Sequence, residues 1–174
     1  METKKEIRKQ YLNIRKEVNE SKIKDKIITE KVINNFHIKD SKTILIYVSY
    51  NNEVNTLDLI NHFLKNKKVA VPKIEKDNMK FYYINSFDDL EKGKYGILEP
   101  MTKKEVKDFT KSVCITPGVC FSKDRYRIGY GKGYYDRFFS NHSIYSIGLC
   151  YKECIVKKIP TDKYDKQVDE IITD

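Results

Sequence analysis

Apolar residues return at helical spacing near the start of the chain, where Ile7, Tyr11, Ile14 and Val18 recur at intervals of four, three and four. That stripe predicts a helix over residues 2–18. Its polar side is basic: Lys4 and Arg8 stand one turn apart, and Arg15 returns to nearly the same angle two turns later. A second helix is predicted over 21–36, with Ser21 as N-cap and Ile23, Ile27 and Phe36 among its buried positions. The period then changes. Residues 43–49 are a continuous apolar, β-branched run, which predicts a strand covered on both faces. A polar loop over 50–56 follows, and Leu57, Ile60 and Phe63 or Leu64 mark another helix.

Beyond that helix, residues 68–72 and 79–84 predict two more strands, and 86–91 one helical turn. Thr102 with Glu105 forms a possible capping box for a short charged helix. Residues 112–116 predict a fourth strand, stopped by Pro117-Gly118; 134–139 predict the first turns of a helix, and 143–149 a fifth strand. The tail offers a late helix or loop and a final short strand over 168–172. Alternation of strand and helix argues for an α/β class with a parallel or mostly parallel sheet and helices on both faces. With no internal repeat, low-complexity segment or linker, residues 1–174 are expected to form a single domain.

Composition adds limits to this picture. A 40% hydrophobic content with 12% aromatics excludes a disordered chain despite 34% charged residues. No apolar run approaches the roughly 20 residues that cross a bilayer, and the N-terminus is charged from the start. A cytoplasmic protein without a membrane partner is expected. The formal net charge of +9 implies anionic company, and nucleotides, a polycarboxylate substrate or nucleic acid all fit. Cys114, Cys120, Cys150 and Cys154 have neither CxxC spacing nor a nearby histidine, so buried thiols are expected rather than a metal or redox site.

One stretch concentrates candidate chemistry. In Arg127-Ile128-Gly129-Tyr130-Gly131-Lys132-Gly133-Tyr134-Tyr135-Asp136-Arg137, three of the seven glycines fall at alternate positions between basic and acidic residues. Glycine allows positive φ and close approach to the backbone, and a helix beginning near Gly133 would aim free N–H groups at an anion. The spacing matches neither GxxxxGK[ST] nor GxGxxG. Three readings stand open: a phosphate cradle, a nucleic-acid surface of interleaved basic and aromatic residues, and a structural glycine turn under a Tyr-rich helix. Asp136 discriminates among them, since an acid in the first helical turn would repel a nucleic-acid phosphate yet could hold Mg²⁺ against a nucleotide.

Pro117-Gly118-Val119-Cys120-Phe121 followed by residues 127–136 resembles the signature of the 5-formyltetrahydrofolate cyclo-ligase family, also called methenyltetrahydrofolate synthetases. The likeness extends to the basic first helix, the 50–56 loop with its glutamate, the Gly96-Ile97-Leu98-Glu99-Pro100 turn and the tail over 165–174. It implies a three-layer α/β/α sandwich, Rossmann-like, with a mostly parallel central sheet. It also implies an ATP- and Mg²⁺-dependent ring closure of 5-formyltetrahydrofolate, with or without a polyglutamate tail, to 5,10-methenyltetrahydrofolate, through a phosphorylated formyl group attacked by N10. The implied oligomeric state is a monomer or weak dimer, without nucleic acid. A small basic RNA-binding protein is the rival reading.

By the same resemblance, Lys4, Arg8, Arg127, Gly129, Gly131, Lys132, Gly133, Tyr134 and Tyr135 correspond to nucleotide contacts. Val48, Glu53, Tyr130, Gly131, Lys132, Gly133 and Tyr134 correspond to folate contacts, Asp136 and Asp165 to Mg²⁺ ligands, and Arg127, Lys132 and Glu53 to catalytic groups. Three positions depart from the family pattern. Ser122 and Arg125 replace an aspartate and a glycine common there, and Lys132 stands where many members carry glycine.

Overall fold

A computed structural model describes residues 2–174. The first helix, α1 (Lys4–Lys16), begins at a reciprocal cap: the Glu6 N–H donates to Thr3 Oγ1, and the Glu6 carboxylate accepts the Thr3 N–H at 2.7 Å. Next comes α2 (Ser21–Asn34), entered through Glu20 at φ 55°, so Ser21 is its first helical residue and not its cap. The buried positions also differ from the expectation. Ile28 and Val32 face the core, whereas Ile23, Ile27 and Phe36 are 56%, 39% and 74% exposed. Adjacent Ile27 and Ile28 point about 100° apart on a helix, so only one of them can face the sheet. Asn35 is extended and accepts the N–H groups of His37 and Ile38. It therefore starts α3 (Phe36–Asp40), which buries Ile38 and leaves Phe36 outside.

The remaining elements are β1 (Thr43–Ile46), α4 (Leu57–Phe63), β2 (Lys68–Glu75), β3 (Asn78–Ile84), β4 (Leu90–Lys92), β5 (Leu98–Pro100), β6 (Ser112–Thr116), β7 (Cys120–Ser122), β8 (Arg127–Ile128), α5 (Tyr134–Asn141), β9 (Tyr145–Leu149), β10 (Ile155–Val156) and β11 (Glu170–Ile172). The central sheet has the order β11-β9-β6-β1-β2-β3, parallel throughout except at β3. β2 runs past the predicted residue 72 because β3 pairs with it antiparallel as far as Glu75, whereas β1 pairs with it only as far as Ala70. Pro72, which has no N–H, lies beyond that partner and costs the ladder nothing on that side.

No helix forms at Thr102 to Glu105. The segment instead lies along β3, where the Val106 N–H donates to Phe81 O at 2.8 Å and the Tyr83 N–H donates to Lys104 O at 2.9 Å. Thr102 Oγ1 donates to Tyr83 O at 2.6 Å and so is unavailable as a cap. Covering the edge of β3 and burying Val106 outweigh a weak local helical signal.

β1 and β6 are buried at every position, as both faces are covered. Ile44, Ile46, Val69, Val113, Ile115 and Ile147 pack with Ile28, Val32, Ile38, Leu59 and Phe63 from α2, α3 and α4. Leu45, Ala70, Phe81 and Cys114 pack with Phe138 of α5 on the opposite face. These are the three layers. A third cluster joins Ile7 of α1 to Phe121 and Ile128 of the small β10-β7-β8 sheet and to Val119 just before β7.

From β1 the chain builds outward through β2 and β3, then returns to β6 on the other side of β1 and continues to β9 and β11. The carboxyl ends of β1 and β6 therefore flank the point where strand order reverses, the usual place for a ligand in an open α/β sheet.

Candidate active site

The loop after β1 brings Glu53 to this crevice. Its Oε2 accepts the Tyr50 N–H at 2.9 Å and its Oε1 accepts the Tyr130 hydroxyl at 3.3 Å. Burial raises its pKa, opposed by the Tyr50 N–H, the Arg15 charge and the Tyr130 hydroxyl. Val48, 5% exposed, lies on the chain leading from β1 to this loop. Tyr47, also buried, donates its hydroxyl to Val54 O at 2.9 Å and so fixes the loop's far side.

The glycine stretch forms β8, a loop and the start of α5. Gly131 has φ 92° and Gly133 φ 68°, both in the left-handed region where a side chain is strained. Gly133 caps α5 without a side chain, so the first N–H groups of an eight-residue helix open toward the loop. Two arginines hold this shape. Arg8 Nε donates to Gly129 O at 2.7 Å, and its guanidinium lies 3.3 Å from where a Cβ on Gly131 would stand. Arg137 donates to Lys132 O at 2.8 Å and to Asp77 O at 3.0 Å, tying the loop to the β2–β3 turn.

Arg127 has a side chain only 5% exposed, and it pairs with Asp136 Oδ1 at 3.2 Å beneath the rings of Tyr135 and Phe139. Asp136 Oδ1 also accepts the Lys166 N–H at 3.1 Å, which sets Asp136 beside Asp165. Asp165 Oδ2 accepts from Lys4 Nζ at 2.5 Å and from the Asp162 N–H at 2.7 Å; Lys4 also reaches Asp162 at 3.1 Å. Partial burial pulls the Lys4 pKa down, but hydrogen bonds to Asp165 and Asp162 leave it raised overall. Tyr134 opens α5 with its ring under the Arg137 guanidinium at 5.2 Å. Lys132 is exposed at the loop tip.

The expected residues thus form two adjoining groups. Lys4, Arg8, Arg127, Asp136 and Asp165 surround the glycine loop on one side. Glu53 and Tyr130 lie on the other, Gly129, Gly131, Lys132, Gly133, Tyr134 and Tyr135 run between them, and Val48 packs in the hydrophobic core behind the Glu53 loop. Asp136 and Asp165 supply hard oxygens suited to Mg²⁺, which commonly takes one or two carboxylates and completes its shell with phosphate and water. No group of three acidic, histidine or cysteine ligands converges among the described residues, so the donor set fits a cation shared with a bound phosphate. Hollows of about 290 and 300 Å³ lie around Lys166 and His142 and around Tyr83 and Lys104, and include neither Glu53 nor the glycine loop. Cys114 and Cys120 are pushed by burial up to about 12, and Cys154 to about 11, which removes them as nucleophiles near neutral pH.

Arg15 is a buried neighbour of these groups that sequence reasoning left outside the candidate site. It is 6% exposed and donates to Tyr130 Oη at 2.7 Å and Gly118 O at 3.3 Å. Its place on the basic edge, one turn from Tyr11 and two from Ile7, borders the apolar stripe, and that border was the one local hint of burial.

The 5-formyltetrahydrofolate cyclo-ligase family model matches residues 1–174. A probable 5-formyltetrahydrofolate cyclo-ligase of Caenorhabditis elegans is 33% identical over 83% of this chain and 79% of its own length. The Mus musculus 5-formyltetrahydrofolate cyclo-ligase is 30% identical over 84% and 80%. Among solved structures, the 5,10-methenyltetrahydrofolate synthetase of Aquifex aeolicus superposes with a TM-score of 0.86 at 29% identity, covering 97% of this chain and 88% of that one. The synthetase of Mycoplasma pneumoniae gives 0.80 at 28% identity, covering 98% of both chains.

Proposed function

Because this chain belongs to the 5-formyltetrahydrofolate cyclo-ligase family, we propose that its crevice closes 5-formyltetrahydrofolate to 5,10-methenyltetrahydrofolate at the expense of ATP. The observation that carries the reading is the junction of a basic, glycine-rich anion loop with a half-buried carboxylate, two environments that meet at Tyr130.

A formyl amide is a poor electrophile until its oxygen is converted to a leaving group. In the proposed sequence the formyl oxygen attacks the γ-phosphorus and ADP departs. N10 then attacks the activated carbon and loses its proton, and phosphate leaves with the former formyl oxygen. Transfer of this kind asks for positioning and charge neutralisation more than for a protein nucleophile. Arg8, Arg127, Lys4 and Lys132 bring positive charge to the triphosphate, and the N–H groups at the start of α5 add donors. Asp136 and Asp165 would hold Mg²⁺, whose contribution when bound is to neutralise phosphate charge. Glu53 faces the folate with Val48, where its carboxylate stabilises the cation that develops across N5 and the formyl carbon.

In this reading residues 1–174 act as a single cytoplasmic domain on a small molecule, with no nucleic acid involved. The RNA-binding alternative gains nothing from the relatives, which are named as cyclo-ligases or synthetases.

The test is direct. Purified protein mixed with 5-formyltetrahydrofolate and Mg-ATP is expected to develop the near-ultraviolet absorbance of the methenyl product, with one ADP released per ring closed. Omission of ATP or chelation of Mg²⁺ should abolish the signal. Absence of product under complete conditions would remove the proposal.

A further inference from the structure

We infer that Arg15 is a positioning residue of this site: it clamps the Tyr130 hydroxyl so that its proton points at Glu53, thereby fixing the carboxylate that faces the folate. The inference rests on the cyclo-ligase reading for its consequence in turnover and on geometry for the clamp.

Arginine can only donate. Since Arg15 donates to Tyr130 Oη at 2.7 Å, that oxygen is the acceptor, and the single phenolic proton is left for Glu53 Oε1 at 3.3 Å. The direction of the relay, from Arg15 to Tyr130 to Glu53, is therefore set by chemistry. With the Tyr50 N–H on Oε2, both oxygens of Glu53 are held. Arg15 is also held from a second side. Its second nitrogen is spent on Gly118 O in the turn after β6, and its Nε is buried without a partner. An incompletely satisfied buried guanidinium is costly to keep unless its charge serves something.

The groups surrounding Glu53 show what that charge serves. Tyr47 from the end of β1, Tyr135 from α5 and Tyr130 from the glycine loop carry neutral hydroxyls at ordinary pH; each is pushed up chiefly by burial. Arg15 from α1 is the cation among these neighbours, and it opposes the burial that favours protonated Glu53. The same helix presents Lys4 and Arg8 to the phosphate side, so α1 spans both halves of the crevice.

Three variants test this. Tyr130→Phe, at a position 54% exposed, cuts the relay without emptying a buried site. Arg15→Met removes the donor, and Arg15→Lys restores charge with a single donor centre. Turnover is measured from acid to neutral pH, alongside calorimetric titration of 5-formyltetrahydrofolate without nucleotide. In Tyr130→Phe and Arg15→Met, KM for the folate should rise about tenfold, the loss expected for a charge-assisted hydrogen bond. The acid limb of kcat/KM should move up by about one pH unit, while KM for ATP stays within about twofold. Arg15→Lys should recover part of the shift, and the double variant should show no larger shift than Arg15→Met alone.

The clamp is refuted if Tyr130→Phe leaves both the acid limb and folate binding at wild-type values, or if folate and ATP constants rise together. If the wild type forms no product but both variants move the pH dependence of folate binding, the clamp stands and the proposed reaction falls. If the wild type turns over normally and no variant moves either readout, the reaction stands and the clamp falls.

Discussion

At the scale of single residues, Glu53 and Arg15 show two degrees of legibility. Glu53 was reachable because it follows a buried strand in a signature-bearing chain, and the structure adds the reason for its poise: burial favours its neutral form. Arg15 was visible only as part of a basic edge. Its burial depends on Gly118 and Tyr130, more than 100 residues away, and no local pattern encodes that. The raised Glu53 pKa has a consequence for stability. The folded state binds this proton more readily than the unfolded state, so folding weakens as pH rises from the usual carboxylate value through the raised one. The penalty is fully present once the pH lies above the raised value. Glu53→Gln removes it, so this variant should melt a few degrees above the wild type at neutral pH, and the advantage should vanish as pH falls below the ordinary carboxylate range. Its turnover should be lost with ATP binding intact. A lower melting temperature at neutral pH would contradict this assignment.

At the scale of elements, the buried strands were the clearest. β1 and β6 are apolar throughout because both faces are covered, and a one-residue error in register would change nothing in that pattern. Elements defined by one face were less legible. In α2 the sheet selects Ile28 and Val32 from several isoleucines, and a helical wheel without knowledge of the sheet cannot choose between Ile27 and Ile28. The 102–105 segment failed as a helix because the edge of β3 offered its backbone longer-range partners. The glycine loop lies between these cases: its residues offered a phosphate cradle as one of three readings, but its shape comes from Arg8 and Arg137. Gly133→Ala tests that shape. A non-glycine residue at φ 68° costs about 1–2 kcal/mol, and the new Cβ would stand 3.1 Å from the Arg137 guanidinium. Denaturant unfolding should show a loss of that size, and kcat/KM for ATP should fall at least tenfold because the Lys132 carbonyl is displaced. Retention of full activity would show that the loop reaches its working shape without the left-handed glycine.

At the scale of the whole molecule, the crevice depends on how the small β10-β7-β8 sheet is seated against the large one, and Phe121 sets that seating. It is fully buried, and its ring touches the positions where side chains on Gly118 and Gly148 would stand, 2.5 Å away at Gly118. Gly118 lies in the turn after β6 and gives its carbonyl to Arg15, and Gly148 lies within β9, so one ring joins the small sheet, the central sheet and the turn that holds Arg15. This arrangement was legible only in part. Pro117-Gly118 announced a turn, but nothing local ties it to a phenylalanine and to a glycine thirty residues later. Phe121→Ala should destabilise the protein by about 3–5 kcal/mol, the usual cost of deleting a buried aromatic ring. Phe121→Leu should cost less, because it leaves a smaller cavity. Chemical denaturation measures both. If the seating is transmitted through Gly118 to Arg15, the leucine variant should also raise KM for the folate more than KM for ATP, at temperatures where it remains folded. A loss of stability with both constants unchanged would confine Phe121 to packing and place control of the crevice in the loops alone.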